Sequence, residues 1–409
     1  MKPLRSPVPP SLLLALAKWL PLSCVVALLA GSASALFLFA LDRASATRAA
    51  HPWLLAGLPL AGFVVGWVYL RVGQQVEAGN NLLIDEIHDP RQQIPLRMAP
   101  LVLAATVVSH LFGASVGREG TAVQMGGALS DQLTRWFGLA REDRSIVLMA
   151  GIAAGFGSVF GTPLAGAVFA LEVLAIGRLR YEALLPCLVA AVLADQVARS
   201  WGVGHAHQTI AHIPALSAST LGALLLAGAV FGLAGKLFAT ATHALGAQCK
   251  RRIAYAPLRP LLGGAVIAAV AWASGGERYL GLGLPLIAQA FEQPLPAWDY
   301  LGKLAYTVAA LGSGFKGGEV TPLFVMGATL GNALAPLLGL PFDLLAGLGL
   351  VAVFAGAANT PLACTLMAVE LFGAGVAVPA ALACVASYWF SGHAGIYRAQ
   401  RQGHGKHGG

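Results

Sequence analysis

The chain carries few charged side chains for its length. Asp, Glu, Lys and Arg make up 11% of its 409 residues, while hydrophobic residues make up 57%. A soluble domain carries about 25% charged residues, so this composition excludes an ordinary soluble fold and indicates a membrane protein. Its five cysteines are scattered and form neither a disulfide framework nor a metal pattern. We therefore expect no bound metal and no cofactor.

Catalytic motifs are absent as well. The sequence shows no Ser/His pair, no His-Glu-x-x-His motif and no paired aspartates of the kind that intramembrane hydrolases use. We therefore expect a protein that is not an enzyme.

Long uncharged windows alternate with short charged connections. Each window exceeds the roughly 20 apolar residues that span a bilayer. Because the chain holds 50 glycines and 23 prolines, we expect an all-α polytopic membrane protein with many tilted and broken helices. The windows are Trp19–Leu41, Ser145–Leu171, Val320–Phe342, Leu344–Val369 and Leu371–Tyr397.

Basic residues gather in a few of the connections, such as Arg141 with Arg144 and the run 250–252. The positive-inside rule places these connections in the cytoplasm. The same residues account for the formal net charge of +8, so the charge implies no nucleic-acid partner.

An internal repeat divides the chain into two halves. Residues 162–172 recur as 360–370 with six of eleven positions identical, and residues 117–126 recur more faintly as 318–327. Repeats interrupted by glycine are typical of secondary transporters whose site lies between the halves. Glu172 and Glu370 occupy equivalent positions, which favours a shared structural role.

The repeat gives the following division of the chain. We predict an N-terminal cytoplasmic segment 1–15, a first membrane repeat 16–200, a connection 201–215, a second membrane repeat 216–397 and a disordered C-terminal tail 398–409. Whether the two repeats are parallel or inverted does not follow from the similarity alone.

Three segments place glycine or small polar residues directly before an apolar helix. They begin at Gly79, Gly117 and Gly317, with Asn80 or Thr321 suited to an N-cap. The start of a helix carries free N–H groups and a partial positive charge. Several such ends that converge at the membrane midplane would bind an anion without lysine or arginine. Ordinary helix capping is the alternative for each segment alone.

Two acidic residues, Glu119 and Glu319, lie in these segments. A carboxylate there competes with an anion for the same N–H donors, and protonation removes the competition. Anion and proton movement would then be coupled. In the alternative interpretation Arg118 pairs with a neighbouring acid and Glu119 is structural, although an ionised group at bilayer depth is costly.

These segments, in this order, resemble the CLC family of chloride channels and anion/proton exchangers. The sequence Gly-Arg-Glu-Gly at 117–120, followed by Val-Gln at 123–124, is similar to the gating-glutamate motif of that family. Thr121 stands where the usual chloride members have proline, and Tyr397 falls where the family has its central tyrosine. The resemblance implies an inverted repeat and a homodimer with one pore per subunit, in the inner membrane of a bacterium.

Within the family the details resemble the fluoride/proton antiporter branch, CLC-F. The segment at Gly79–Leu83 replaces the usual Gly-Ser-Gly-Ile-Pro, and residues 317–322 read Gly-Gly-Glu-Val-Thr-Pro. Val173 occupies the place of the inner proton-transfer glutamate of chloride exchangers. A chloride/proton exchanger or a passive chloride channel of the same fold is the alternative.

The resemblance therefore predicts export of fluoride in exchange for protons, and hence fluoride resistance. Glu119 would be the gate and the proton carrier. Fluoride and protons would be the transported ions, and the protein would be embedded in the lipid membrane. The candidate anion-binding residues are Asn80, Gly117, Arg118, Gly120, Gly318, Glu319, Val320, Thr321 and Tyr397.

Overall fold

The computed structural model describes residues 10–205 and 208–406, and these residues are mainly helical. The described part of the chain contains sixteen α-helices, eight before the connection near residue 210 and eight after it. This architecture confirms the predicted all-α polytopic fold.

The helices of the two halves follow one another in the same order. The first half contains α1 (Pro10–Ala50), α2 (Leu58–Val68), α3 (Asn80–His88), α4 (Met98–Leu111), α5 (Glu119–Phe137), α6 (Arg141–Phe160), α7 (Pro163–Glu172) and α8 (Leu184–Ser200). The second half contains α9 (Ala218–Arg252), α10 (Leu258–Ser274), α11 (Leu284–Glu292), α12 (Asp299–Ser313), α13 (Val320–Leu338), α14 (Phe342–Ala358), α15 (Pro361–Phe372) and α16 (Ala377–Phe390).

Short irregular helices join some of these elements, and a short strand of the first half pairs with a short strand near residue 401. The 3₁₀ turns are Pro52–Gly57, Gln74–Val76, Tyr181–Ala183, Gly276–Tyr279 and Ala374–Val376, with a π-helical turn at Tyr69–Gly73. The strands are β1 (Ala175–Ile176) and β2 (Arg401–Gln402).

Several of the apolar windows are broken helices, as the glycine and proline content predicts. Six helical stretches of the described residues are long and apolar enough to cross a membrane. The window Leu344–Val369 instead divides between α14 and α15. The break falls at Asn359, whose φ of 58° places it in the left-handed region, where asparagine is tolerated better than most residues. Short helices of this kind can end inside the membrane and leave a terminus free for a ligand.

The two halves meet in an antiparallel contact at equivalent residues. The Gly117 N–H donates to the carbonyl of Gly318 at 2.6 Å, and the Gly318 N–H donates to the carbonyl of Gly117 at 2.7 Å. The two residues are the first of the repeated segments 117–126 and 318–327. A reciprocal, antiparallel pair of this kind relates the halves by a local two-fold axis, as an inverted repeat requires.

A second reciprocal contact joins α7 and α15. The Glu172 carboxylate accepts the N–H groups of Leu362 and Ala363 at 3.1 and 2.9 Å. The Glu370 carboxylate accepts those of Leu164 and Ala165 at 2.9 and 2.8 Å. In each half, an acid in the last turn of one helix therefore caps the first turn of the equivalent helix in the other half.

Glycines let the helices at the centre of the molecule touch through their backbones. A Cβ added at Gly126 of α5 would lie 2.2 Å from the carbonyl oxygen of Gly151 in α6. The second half repeats this contact, because a Cβ at Gly327 of α13 would lie 2.1 Å from the carbonyl oxygen of Gly349 in α14. Small residues at such crossings are the usual means of close helix packing in membranes.

The predicted disorder of the tail 398–409 is wrong for residues 398–406. Strand β2 pairs in parallel with β1, which follows α7, through partners Ala175 with Arg401 and Ile176 with Gln402. Lys406 is buried, with 5% of its surface exposed. Composition indicated disorder because the tail is polar and glycine-rich, but its polar groups bind helix ends and loops of both halves. Residues 407–409 lie outside the described part.

The predicted boundaries of the segments stay predictions, and three observations bear on them. Helix α1 begins at Pro10, inside the segment 1–15, whose first nine residues lie outside the described part. The described residues between 203 and 217 form no helix. Helix α9 then begins at Ala218, where the Ser217 hydroxyl accepts the N–H of Thr220.

The reciprocal caps generate a stability prediction. Glu172→Ala and Glu370→Ala should each lower the free energy of unfolding by about 1 kcal/mol, because each leaves two N–H groups of a helix end without their acceptor. Thermal unfolding of the detergent-solubilised protein measures the effect. Glu292→Ala, at an exposed helix end, serves as the control. Equal unfolding temperatures for all three variants would contradict a capping role.

Candidate functional site

Three helices begin close to the junction of the halves. Helix α3 begins at Asn80, α5 at Glu119 and α13 at Val320. The prediction that Asn80 or Thr321 is an N-cap is wrong, since Gly79 and Glu319 hold those positions. Both side chains instead belong to the first turn of their helix.

The Glu119 side chain crosses from α5 to the start of α13. Its carboxylate accepts the Thr321 N–H at 3.0 Å and the Thr321 hydroxyl at 2.6 Å. The Arg118 N–H donates to the same carboxylate at 3.2 Å, and the Arg118 Nε lies 3.4 Å from it. Only 1% of Glu119 is exposed. A buried acid therefore occupies the donors that helix α13 offers to an anion.

Glycines on both halves leave room for this arrangement. A Cβ at Gly120 would lie 3.0 Å from Asn80 Nδ2 and 3.2 Å from Gly318 Cα. A Cβ at Gly117 would lie 3.1 Å from Glu119 Oε2. Gly79 precedes α3 with a φ of 60°, a conformation that other residues rarely adopt. The glycines thus bring three helix ends and two acids into one small volume.

Asn80 and Glu319 lie beside the same glycines. A Cβ at Gly120 would come within 3.8 Å of Glu319 Oε2 as well as within reach of the Asn80 amide. Asn80 Oδ1 is buried and has no hydrogen-bond partner among the described residues. A buried polar atom without a partner is costly. The amide oxygen of Asn80 is therefore an unused hydrogen-bond acceptor within the site.

A cavity of about 460 Å³ opens from this point. Asn80, Glu319 and Tyr397 line it. Its other lining residues include four basic side chains, Lys250, Arg259, Lys316 and Arg398. The Lys316 ammonium lies 4.2 Å from the centre of the Tyr69 ring, a cation–π contact. A mouth lined with positive charge raises the local concentration of anions.

Tyr397 closes the site on the side of the cavity. It is buried, with 6% of its surface exposed, and its ring meets that of Phe169 edge-on at 6.2 Å. Tyr397, Asn80 and Val173 also line one small space with Phe169. Tyr397 follows the end of α16 at Phe390 and lines the same cavity as Asn80 and Glu319.

The structure thus brings together all the candidate residues predicted from the sequence. Gly117 and Gly318 form the backbone bridge, while Arg118, Glu119 and Gly120 form the start of α5. Val320 and Thr321 begin α13, and Val320 is buried with 1% of its surface exposed. Asn80, Glu319 and Tyr397 complete the set on the side of the cavity.

Sequence reasoning missed a charged clamp that positions two of these helices. Arg144 of α6 binds Asp131 of α5 at 2.7 Å and Glu86 of α3 at 2.9 Å. Glu86 also accepts the N–H groups of Arg91 and Gln92. The clamp fixes α3 and α5 to each other at the ends opposite to Asn80 and Glu119. Rare acids inside apolar helices were the available signal, because such acids need partners.

Sequence reasoning also missed the role of Thr121. Its hydroxyl lies 2.7 Å from that of Thr106 in α4, and both are buried. A proline at this position would have no hydroxyl group, whereas the Thr121 side chain links α4 to the first turn of α5.

Comparison with known proteins gives consistent matches. The sequence profile of the "Voltage gated chloride channel" family matches residues 61–392. A curated relative from Pseudomonas syringae pv. tomato, named chloride/fluoride channel protein, is 63% identical over 413 residues, which cover 100% of this chain and 91% of the relative.

Two solved structures resemble the fold. The crystal structure of a CLC-type fluoride/proton antiporter matches with a TM-score of 0.92 and 36% identity, over 97% of this chain and 100% of the other. The crystal structure of a slow cyanobacterial Cl⁻/H⁺ antiporter matches with a TM-score of 0.78 over 91% and 93% of the two chains. At 19% identity the second match shows the fold alone.

The close approach at Gly120 generates a prediction. Gly120→Ala should lower the free energy of unfolding by about 1–3 kcal/mol, because the added methyl group would lie 3.0 Å from Asn80 Nδ2 and 3.2 Å from Gly318 Cα, which crowds both. Gly222→Ala in α9 is the matched control, since a Cβ there meets nothing within 4 Å. Thermal unfolding compares the two. A Gly120→Ala protein as stable as the control would contradict the tight packing of the site.

Proposed function

We propose that this chain, which belongs to the voltage-gated chloride channel (CLC) family, exports fluoride from the cytoplasm in exchange for protons. The observation that carries the proposal is the Glu119 carboxylate, which is held by the N–H and hydroxyl of Thr321. These donors are the groups that would bind a small anion. The likeness to a fluoride/proton antiporter over 97% of the chain supports the choice of ion.

Competition for the donors of α13 couples the two ions. While Glu119 is ionised, its carboxylate occupies the Thr321 donors and excludes an anion. Protonation removes its negative charge and weakens these bonds, because charge-assisted hydrogen bonds are roughly twice as strong as neutral ones. Fluoride then takes the donors, and the protonated side chain carries its proton across the site. When Glu119 loses its proton, its carboxylate returns to the Thr321 donors and expels fluoride. The same side-chain movement therefore couples the transport of the two ions.

Selectivity for fluoride follows from hydrogen bonding at short range. Fluoride is small and strongly hydrated, so a site must replace its water with several donors. We assign this role to the Asn80 amide, the Thr321 hydroxyl, the N–H of Val320 and, when protonated, the Glu319 carboxyl. The Asn80 amide offers two N–H donors, whereas serine offers one hydroxyl. Tyr397 lies at the side of the cavity, where it would meet the arriving ion.

The proposal also covers the membrane in which the protein lies, its orientation there and its oligomeric state. The chain is a multi-pass membrane protein, and we place it in the inner membrane of a bacterium with the basic cavity facing the cytoplasm. There it would act as a homodimer with one pore per subunit and confer resistance to fluoride.

Flux measurements test the function directly. Purified protein in proteoliposomes loaded with fluoride should release fluoride and take up protons, whereas chloride release should be slow. External pH and ion-selective electrodes record both movements. Fluoride release without proton uptake would identify a channel, and equal release of chloride would identify a chloride transporter of the same fold; either result contradicts the proposal.

The role of Glu119 is tested by replacing it with glutamine, its neutral isostere. Glu119→Gln should abolish fluoride-driven proton movement, because the amide cannot bind and release a proton. The control is Glu142→Gln, at an exposed position of α6. Proton uptake in both variants is read from the external pH. Intact coupling in Glu119→Gln would remove this side chain from the mechanism.

The role of Asn80 in selectivity is tested by replacing it with serine, the residue that chloride members use in this segment. Asn80→Ser should lower the ratio of fluoride to chloride transport by about tenfold, which corresponds to the loss of roughly one hydrogen bond, about 1.4 kcal/mol. Initial rates of release from vesicles loaded with either ion give the ratio. An unchanged ratio would show that selectivity resides elsewhere.

A further inference from the structure

The nine residues after Tyr397 follow a fixed path over both halves of the molecule. We call residues 398–406 the C-terminal strap. Close to Tyr397, the Ala399 N–H donates to Asn81 Oδ1 at 2.9 Å. Asn81 is the neighbour of Asn80 in the first turn of α3. The strap therefore joins the tyrosine side of the candidate site to its asparagine side within two residues of Tyr397.

The middle of the strap is bound through Gln400. Its side-chain amide donates to the carbonyls of Val173 and Ala358, both at 3.0 Å, and its Oε1 accepts from Asn359 at 2.8 Å. Val173 follows α7 in the first half, and Ala358 ends α14 in the second. One side chain thus contacts both halves at the point where two helices end.

The strap then forms strand β2. The Arg401 N–H donates to the Leu174 carbonyl and the Gly403 N–H to the Ile176 carbonyl, both at 3.0 Å. The Arg401 guanidinium pairs with Asp89, which follows α3. These contacts fix the strap to the loop after α7 and to the far end of α3.

Lys406 anchors the end of the strap. Its ammonium donates to Asn359 Oδ1 and the Tyr388 carbonyl, both at 2.6 Å, and to the Ser391 hydroxyl at 3.0 Å. It also reaches the Gly392 carbonyl and lies 3.9 Å from the centre of the Tyr388 ring. These acceptors lie at the ends of α14 and α16, where carbonyl groups and the helix dipole favour a cation.

The backbone of Lys406 is bound too. Its N–H donates to the His393 ring at 3.0 Å. A buried ammonium with four oxygen acceptors and an aromatic face has its hydrogen-bonding capacity fully used. The site is specific for a cationic side chain, because a neutral, apolar residue at position 406 would leave these acceptors without a hydrogen-bond donor.

We propose that the C-terminal strap positions Tyr397 against Asn80 and that Lys406 is the residue that holds it there. This inference rests on the proposed function for its transport readout. On its N-terminal side Tyr397 is held by the Ile396 N–H, which donates to the Ala357 carbonyl of α14, and on its C-terminal side by the strap. In the proposal, loss of the Lys406 anchor loosens the strap, and Tyr397 is then held less firmly against Asn80. Lys406 is a positioning residue, since it does not contact the ion.

Amide hydrogen exchange on the unmodified protein in lipid nanodiscs tests the strap itself. The amides of Ala399, Arg401, Gly403 and Lys406 should exchange at least about 100-fold more slowly than those of an unstructured peptide, because each is hydrogen-bonded. Exchange at the unstructured rate would overturn the proposal. This measurement involves no transport, so it fails or succeeds independently of the proposed function.

Lys406→Met tests the anchor, with Lys18→Met as the matched control. Lys18 pairs with Asp143 at 2.6 Å in a partly exposed place on α1. Lys406→Met should raise the KM for fluoride and lower the fluoride-to-chloride ratio by about tenfold, as small misplacements of a site do. Size-exclusion profiles and thermal unfolding check that both variants are folded. A lower unfolding temperature with unchanged KM and ratio would show a merely structural role and overturn the proposal.

Chemical restoration of the ammonium separates charge from packing. Lys406→Cys should show the same defect as Lys406→Met, and treatment with 2-bromoethylamine should restore KM, because it converts the cysteine into a close analogue of lysine. The unmodified protein, treated alike, controls for reaction at its own cysteines. If Lys406→Met does not fold, Gln400→Met provides the same KM measurement at the middle of the strap. Failure of restoration in a folded, alkylated protein counts against Lys406 as the anchor.

Discussion

The bond between Glu119 of one half and Thr321 of the other is the contact on which the rest of the structure depends. An acid is costly at bilayer depth, and here its cost is offset by two donors at the start of α13. That compensation requires the two helix starts to meet almost in contact. The bridge between Gly117 and Gly318 provides the meeting point, and the glycine crossings of α5 with α6 and of α13 with α14 provide the close packing around it.

The scaffold around this contact is symmetric, but its chemistry is not. The helix caps and the glycine crossings each occur twice, at equivalent positions of the two halves. The backbone bridge occurs once, between Gly117 and Gly318, and its two hydrogen bonds are reciprocal. At the centre the equivalent positions differ, since Val320 corresponds to Glu119 and Gly120 corresponds to Thr321. One half therefore supplies the buried acid, and the other supplies its binding groups. The centre of the duplicated fold is asymmetric because equivalent positions of the two halves carry different residues.

The sequence was sufficient to predict the helical membrane fold and to select candidate residues that lie together in the structure, because acids and glycine runs are rare enough in apolar segments to stand out. It was not sufficient to predict contacts between side chains that are distant in the sequence. The Arg144 clamp and the anchor of Lys406 depend on which helix ends meet in space, and the polar composition of the tail indicated disorder. The N-cap assignments of Asn80 and Thr321 failed by one and by two residues, because the helices begin after Gly79 and Glu319, neither of which caps through its side chain.

The central claim is that fluoride displaces the ionised Glu119 carboxylate by way of its protonated form. Fluoride-induced infrared difference spectra of the protein in lipid, compared between the unmodified protein and Glu119→Gln, measure this most directly. The account predicts that fluoride converts a carboxylate band into a carboxylic acid band in the unmodified protein and that this change is missing in Glu119→Gln. The same difference spectrum in both proteins would contradict it.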